Sequence, residues 1–400
     1  MTRNQKIKSY VTMPTRPIDI ILPYKEHMSA GNQGAIATIV QDLVHHSGMA
    51  DQFRVFGRPA SGMIAQPIDY HGVKVRFPFL HGGHNAGFAK AYLKQIRQDG
   101  LPRAIEVHGR CRNARIIASA YPEIPTFLYL HNDPTQMAGA KTIAERRWLA
   151  THLAGIFCVS EFIRQKFLSG LSDSEIDSQN IITLHNGVER WLDKPAHKQN
   201  TIVIAGRMVP EKGIYPACKA VKPVLEAHRD WHLHIIGGKH FADAPLSAYE
   251  RKIAALLEHM GEQVTIHGFM GKSALRSFQQ HAAIIIVPSL WDEPAGLTNI
   301  EALAAGAALI STGTGGSSEY IKDRAIIVPV DSHDDYDSHD FPEFTAALSQ
   351  ACHNLIEDSH KRQALQNAAW KNYIHDAHTM AENAVNIREK LIKSFTSTLL

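Results

Sequence analysis

The stretch from Ile284 to Gly316, IIIVPSLWDEPAGLTNIEALAAGAALISTGTGG, reads as strand, loop, helix, strand and glycine loop. Ile284–Val287 is apolar on both faces, as a parallel strand buried between two helix layers is. Pro288 cannot donate to a ladder and ends it. A helix starts around Gly296, runs through Glu301 to Ala305, and stops at Gly306. Ala308–Ser311 is the next strand. Two strands joined through a helix form the repeating unit of a parallel α/β sheet.

The same alternation extends both ways. Short apolar runs at Ile18–Leu22, Ala104–Val107, Thr126–Leu130, Gly155–Val159 and Ile181–Leu184 precede it, and Thr201–Ala205, His232–Ile236 and Val264–Ile266 lie closer. Amphipathic stretches of helical length, such as Ile36–His46, Ala86–Arg97, Glu161–Leu168 and Tyr249–His259, separate them. At 400 residues the chain is too long for one ordinary core. A polar break at Glu189–Asn200, ERWLDKPAHKQN, divides two α/β series. The expected fold is α/β, with two Rossmann-like domains facing across a cleft. Residues 1–190 form the first domain and 200–375 the second. A C-terminal segment, 376–400, is helical. Ligands bind such sheets at the carboxyl ends of their strands, so the chemistry is expected in the loops that follow them.

Composition excludes several classes. Charged residues are 20% of the chain and well mixed, and apolar residues are 44%, as in a globular protein. No apolar run reaches the roughly 18–20 residues that span a bilayer. The polar, basic start, Met1–Arg16, has no signal-peptide core, and a cytoplasmic location follows. The cysteines, Cys111, Cys158, Cys218 and Cys352, are scattered, and neither they nor the 24 histidines show metal-ligand spacing. No metal and no cofactor is expected. Net charge is +3 but uneven: residues 1–195 hold 23 Lys and Arg against 16 Asp and Glu. A basic first half suits an anionic partner or peripheral contact with the inner face of a membrane. Nothing points to nucleic acid.

The loop Trp291–Pro294 places Glu293 just ahead of a helix start, where free backbone N–H groups and the positive dipole end point outward. The amides of Ala295, Gly296, Leu297 and Thr298 can cradle phosphate oxygens. Glu293 and Glu301 can each accept hydrogen bonds from hydroxyls, and Glu301, on an Ala-rich helix, needs a partner. Further back, AGRMVPEKG (Ala205–Gly213) delivers Arg207 and Lys212 from a strand end. A guanidinium fork and an ammonium point charge together suit a diphosphate.

PSLWDEPAGLTNIEALAAG resembles the signature of retaining glycosyltransferases of family four, which have the GT-B fold and two glutamates spaced E-x7-E. The resemblance implies Glu293 at the donor sugar, Glu301 at the nucleoside ribose, and Arg207 and Lys212 on the donor phosphates. It implies retention, no metal, and stabilisation of the departing diphosphate by cations and a helix start. It also implies a histidine after a first-domain strand, near the donor sugar. His131 is the expected residue, oriented by Asp133, with His108 next. The loop Tyr24–Ile36 is where the family places adjacent glycines against phosphate; here Gly31 and Gly34 are separated by Asn32 and Gln33. Val159-Ser160-Glu161, His185-Asn186-Gly187-Val188 and Gly315-Gly316-Ser317-Ser318-Glu319 match further family strings that shape the cleft. The C-terminal helix is expected to cross back onto the first domain.

The implied activity is transfer of a hexose from a nucleotide sugar, UDP-linked as first choice. The acceptor would be a glycan or glycolipid such as lipopolysaccharide core or another surface polysaccharide. The rivals are a catalytically silent nucleotide-sugar-binding protein and a nucleotide-sugar epimerase of similar fold. A dinucleotide-binding oxidoreductase is excluded, since Gly313-Thr314-Gly315-Gly316 has the wrong spacing, and GFMGKS (Gly268–Ser273) is too short for a phosphate loop.

Overall fold

The computed structural model describes residues 16–399 except 30–32, 61, 173, 175, 240–244, 331–334 and 339. Two parallel sheets organise it. The first has seven strands, in spatial order Tyr70–Gly72, Phe53–Gly57, Ile18–Ile21, Ala104–His108, Thr126–Leu130, Gly155–Cys158 and Ile181–Thr183. The second has six, in order Val264–Gly268, His232–Ile236, Gln199–Ala205, Ala282–Val287, Ala308–Ser311 and Ala325–Ile327. In both, the chain starts near the middle, builds one side, then returns to build the other. The switch points fall between Ile18–Ile21 and Ala104–His108, and between Gln199–Ala205 and Ala282–Val287. Crossovers that leave in opposite directions part there and open a crevice.

The central strands are fully buried and mostly apolar, with helices covering each side; in the first sheet Asp19, Glu106 and His108 are buried polar exceptions. The two strands not expected from sequence, Phe53–Gly57 and Tyr70–Gly72, complete the first sheet. In the former, Arg54 interrupts the apolar run because it serves a buried acid. Its guanidinium donates to both oxygens of Asp19, at 2.7 and 3.0 Å, and Tyr92 Oη donates to Asp19 at 2.7 Å.

The helix Ala377–Leu399 packs on helix Ala35–His46 of the first sheet, burying Ala377, Met380, Ala381 and Ala384 in that core. Two ion pairs of opposite polarity fasten it: buried Arg388 to Glu106, and Arg103 to Glu389 through two contacts of 2.6 and 3.1 Å. The stretch from Glu189 to Lys198 has no regular structure but is held. Arg190 stacks on Trp370 and Tyr373, and Lys198 Nζ donates to the carbonyls of Gln280 and Ala305. Among the described residues no helix is long and apolar enough to cross a membrane.

Candidate functional site

The two switch points face one cavity of about 570 Å³. Gly34, His131 and Asn132 line it from the first sheet; Arg207, Lys212, Ser289, Glu293 and Ala295–Thr298 line it from the second. A wider cavity of about 1260 Å³ adjoins it, sharing Gln33, Ala35, Leu297 and Thr298, and Glu301 opens onto that one. The acids of the E-x7-E pair therefore serve adjoining hollows.

Helix Leu297–Ala304 starts at Gly296, which has a left-handed backbone (φ 71°) and no side-chain cap. Glycine is required twice over: the conformation is strained for L residues, and a Cβ would lie 2.8 Å from Asn299 Nδ2. The turn leaves the first helical amides without a side-chain partner, and Gly296, Leu297 and Thr298 line the cavity, an arrangement that can bind an anion. Glu293 is nearly buried, with 6% exposure. Lys212 Nζ and Ser289 Oγ both donate to its Oε1. Its Oε2 has no protein partner among the described residues. Lys212 also lies 5.4 Å from the centre of the Trp291 ring. Arg207 is freer: its side chain is 61% exposed, and its one acidic neighbour, Glu211, is 3.6 Å away. Glu301 accepts from Gln279 Nε2 at 3.3 Å, supplying the partner its burial demands, and burial raises its pKa.

Gly31 lies outside the described residues. Gly34 precedes helix Ala35–His46, but this helix start is already served by an acid. Glu26 Oε2 accepts from the Ala37 amide at 3.3 Å, and burial raises the Glu26 pKa. The loop therefore presents a carboxylate where a phosphate cradle was expected.

His131 is partly exposed on the cavity wall. Asp133 does not orient it; its carboxylate instead accepts from the amide and hydroxyl of Thr135, at 2.8 and 2.7 Å, capping a short helical turn. His108, expected at the cleft, is fully buried behind His131. Its side chain points back into the core because Glu106, two residues earlier on the same strand face, is there. A chain of contacts results. Arg388 donates to Glu106 Oε1; Glu106 Oε2 is 3.8 Å from His108 Nε2; His108 Nδ1 is 3.0 Å from His131 Nε2. Burial alone would raise the Glu106 pKa, but Arg388 and His108 bring it below the usual glutamate value. Burial lowers the pKa of His108, and pushes that of His131 far below the usual histidine range, with His108 adding to the effect. Both imidazoles are neutral at pH 7. With the His108 proton on Nε2, the side nearer the Glu106 anion, His108 Nδ1 accepts from His131 Nε2–H. That assignment leaves His131 Nδ1 as a bare acceptor. Glu106 and Arg388 escaped the sequence reading, although the Glu106-x-His108 alternation puts both side chains on one strand face.

The remaining motif residues join the domains. Ser160 Oγ donates to the Pro294 carbonyl at 2.6 Å. Glu319 accepts from the amides of Glu161 and Phe162, each at 2.8 Å, capping a first-domain helix from the second domain, and pairs with His185 at 2.8 Å. Burial opposes ionisation of Glu319, yet these donors set its pKa below the usual value. Tyr320 Oη donates to the Val159 carbonyl and accepts from the Asn186 amide at 2.9 Å.

Two parallel Rossmann-like sheets meeting at their switch points define a GT-B architecture. HepE from Anabaena, solved in complex with UDP, has the same fold: TM-score 0.71, 14% identity, covering 94% of this chain and all of that one. Residues 188–340, most of the second domain, match the family described as Glycosyl transferases group 1. The putative glycosyltransferase YtcC of Bacillus subtilis is 27% identical over 62% of this chain, and the match spans just under two thirds, 64%, of its length. The lipopolysaccharide 1,2-N-acetylglucosaminetransferase of Salmonella typhimurium is 27% identical over 60% of this chain and 68% of its own.

Proposed function

We propose that this protein transfers a hexose from a nucleotide sugar, UDP-linked as first choice, to a glycan or glycolipid acceptor, with retention and without a metal. One observation carries this reading. Arg207, Lys212, an uncapped helix start and a glutamate with one free oxygen converge on a single cavity between the domains. Two cations and a dipole end stabilise the charge of a departing diphosphate without a metal ion. Glu293 Oε2 and His131 Nδ1, both acceptors, hold hydroxyls of the sugar. Glu301, in the adjoining hollow, holds the ribose. Glu293 Oε2 and His131 Nδ1 are engaged with the donor sugar in this reading, which leaves the departing diphosphate oxygen as the base for the acceptor hydroxyl. The acceptor's proton therefore leaves on the diphosphate oxygen, and the new bond forms on the face the leaving group vacates.

The first domain carries a separate hollow of about 770 Å³ whose wall includes Lys90, Arg112, Arg115 and Lys141. None of the four is paired with an acid among the described residues. Unpaired cations in a concave site favour a phosphorylated or otherwise anionic acceptor, in line with lipopolysaccharide core.

The test is turnover and donor hydrolysis with purified protein and a panel of nucleotide sugars. Replacing Arg207 and Lys212 together by alanine should lower turnover by at least about 100-fold, the scale of losing one preorganised oxyanion donor. Unchanged turnover would remove the electrostatic basis of the reading. Donor binding without hydrolysis or transfer would favour the silent binding protein.

A further inference from the structure

On the second domain, three metal-ligating side chains converge at the packed ends of two helices. His228 follows the last turn of helix Ile214–Ala227. His353 and Glu357 lie four residues apart on helix Pro342–Glu357, on one face. His228 Nε2 is 3.2 Å from His353 Nδ1 and 3.5 Å from Glu357 Oε1. One ligand atom from each residue lies within 4.8 Å of the other two. Around a tetrahedral zinc ion, bonds of about 2.0–2.2 Å put neighbouring ligand atoms roughly 3.3–3.5 Å apart. Two of the three edges already have that length. Without a cation the cluster is poorly matched. His228 Nε2 carries at most one proton, yet it faces two acceptors, the His353 nitrogen and a carboxylate.

The cluster is also preformed. The His228 amide donates to the carbonyls of Val224 and Leu225 at 3.0 and 3.2 Å, and its carbonyl accepts from Gln263 Nε2 at 3.2 Å. The helices it joins share one core, with Val224 and Leu225 beside Cys352 and Leu355. The His228 side chain is 14% exposed and that of Glu357 60%, so the arrangement opens to water on one side, where a fourth ligand can bind.

We propose that His228, His353 and Glu357 form a binding site for a divalent transition metal, zinc foremost. An N₂O donor set suits zinc, nickel and copper and disfavours magnesium and calcium. None of the three residues lines the cavity between the domains, so the ion clips one helix end to another and takes no part in transfer. The inference does not depend on the transferase reading. The sequence hides the site because His228 and His353 are 125 positions apart.

The experiment is calorimetric titration of the EDTA-treated, dialysed full-length protein with zinc chloride, alongside thermal unfolding with and without zinc. The expected result is one equivalent bound and a raised melting temperature. H228A and H353A should each weaken binding by more than the roughly 10–100-fold that loss of an outer-shell partner costs. E357Q, at an exposed position, provides a variant that should fold as the wild type does in EDTA and still bind zinc more weakly. Cobalt substitution should give the intense visible absorption of a tetrahedral centre. Absence of stoichiometric binding would overturn the proposal. So would binding unaltered in all three variants, which would place the zinc on others of the 24 histidines.

Discussion

Replacing Arg388 with methionine should destabilise the first domain by about 3–5 kcal/mol, the scale of breaking one buried ion pair. The Arg388 and Glu106 side chains are 2% and 0% exposed, so neither charge can turn to water when its partner is lost. E106Q should cost a similar amount, because it strands the guanidinium. The double variant R388M/E106Q, which removes both charges, should cost less than either single change. Urea unfolding of the four proteins closes the cycle. A double-variant loss equal to the sum of the two single losses within about 0.5 kcal/mol would refute the coupling. The pH dependence gives a second sign. In the wild type the folded-state pKa of Glu106 is depressed, so its stabilisation is complete above the ordinary glutamate value, 4.5, and is lost as pH falls through the depressed pKa. In R388M that lowering cation is gone, the Glu106 pKa shifts upward, and less stability is lost as pH falls than in the wild type. Nitrogen NMR of the His131 ring gives the functional readout: Nδ1 unprotonated in the wild type, a mixture of tautomers in E106Q.

Two further outcomes follow from the cleft. E26Q keeps a hydrogen-bonding group at the Ala37 amide but removes a charge facing the donor phosphates. Nucleotide-sugar affinity measured by calorimetry should tighten by about tenfold, the equivalent of ~1.4 kcal/mol of like-charge repulsion; weaker binding would make the Glu26 carboxylate itself a donor ligand. E319A removes the acceptor for two amides and His185, so small-angle scattering should show a larger radius of gyration for the free protein. Acidification of the wild type through the lowered Glu319 pKa should have the same effect, and an unchanged radius in both would mean the remaining contacts hold the domains together.

Much of the architecture was legible because parallel strands buried on both faces announce themselves as apolar runs. Thr126–Leu130, His232–Ile236 and Ala308–Ser311 have the bounds their sequences imply. Phe53–Gly57 was not legible, because Arg54 looks like a surface residue until the buried Asp19, 35 positions earlier, is placed beside it. The placement of Glu293, Gly296 and Glu301 was readable since they lie within one strand–loop–helix unit, where spacing determines geometry. Arg207 and Lys212 come from the neighbouring strand end and arrive at the same cavity. Support for His131 was not readable. It runs through Glu106 to Arg388, 282 positions further along the chain, and only packing of the last helix brings that cation under the first sheet. Asp133 was misread for the opposite reason: it is adjacent in sequence, but it caps its own turn. Ser160 and Glu319 matched motif strings, and the structure gives the physical reason for their presence, one domain capping and holding the other.

A structure of the protein with a UDP-hexose tests the central claim most directly. The diphosphate should lie within hydrogen-bonding reach of Arg207, Lys212 and the first amides of helix Leu297–Ala304, with the ribose at Glu301 and a sugar hydroxyl on Glu293 Oε2. A nucleotide bound away from that guanidinium and ammonium, or one that leaves both glutamates untouched, would contradict the account.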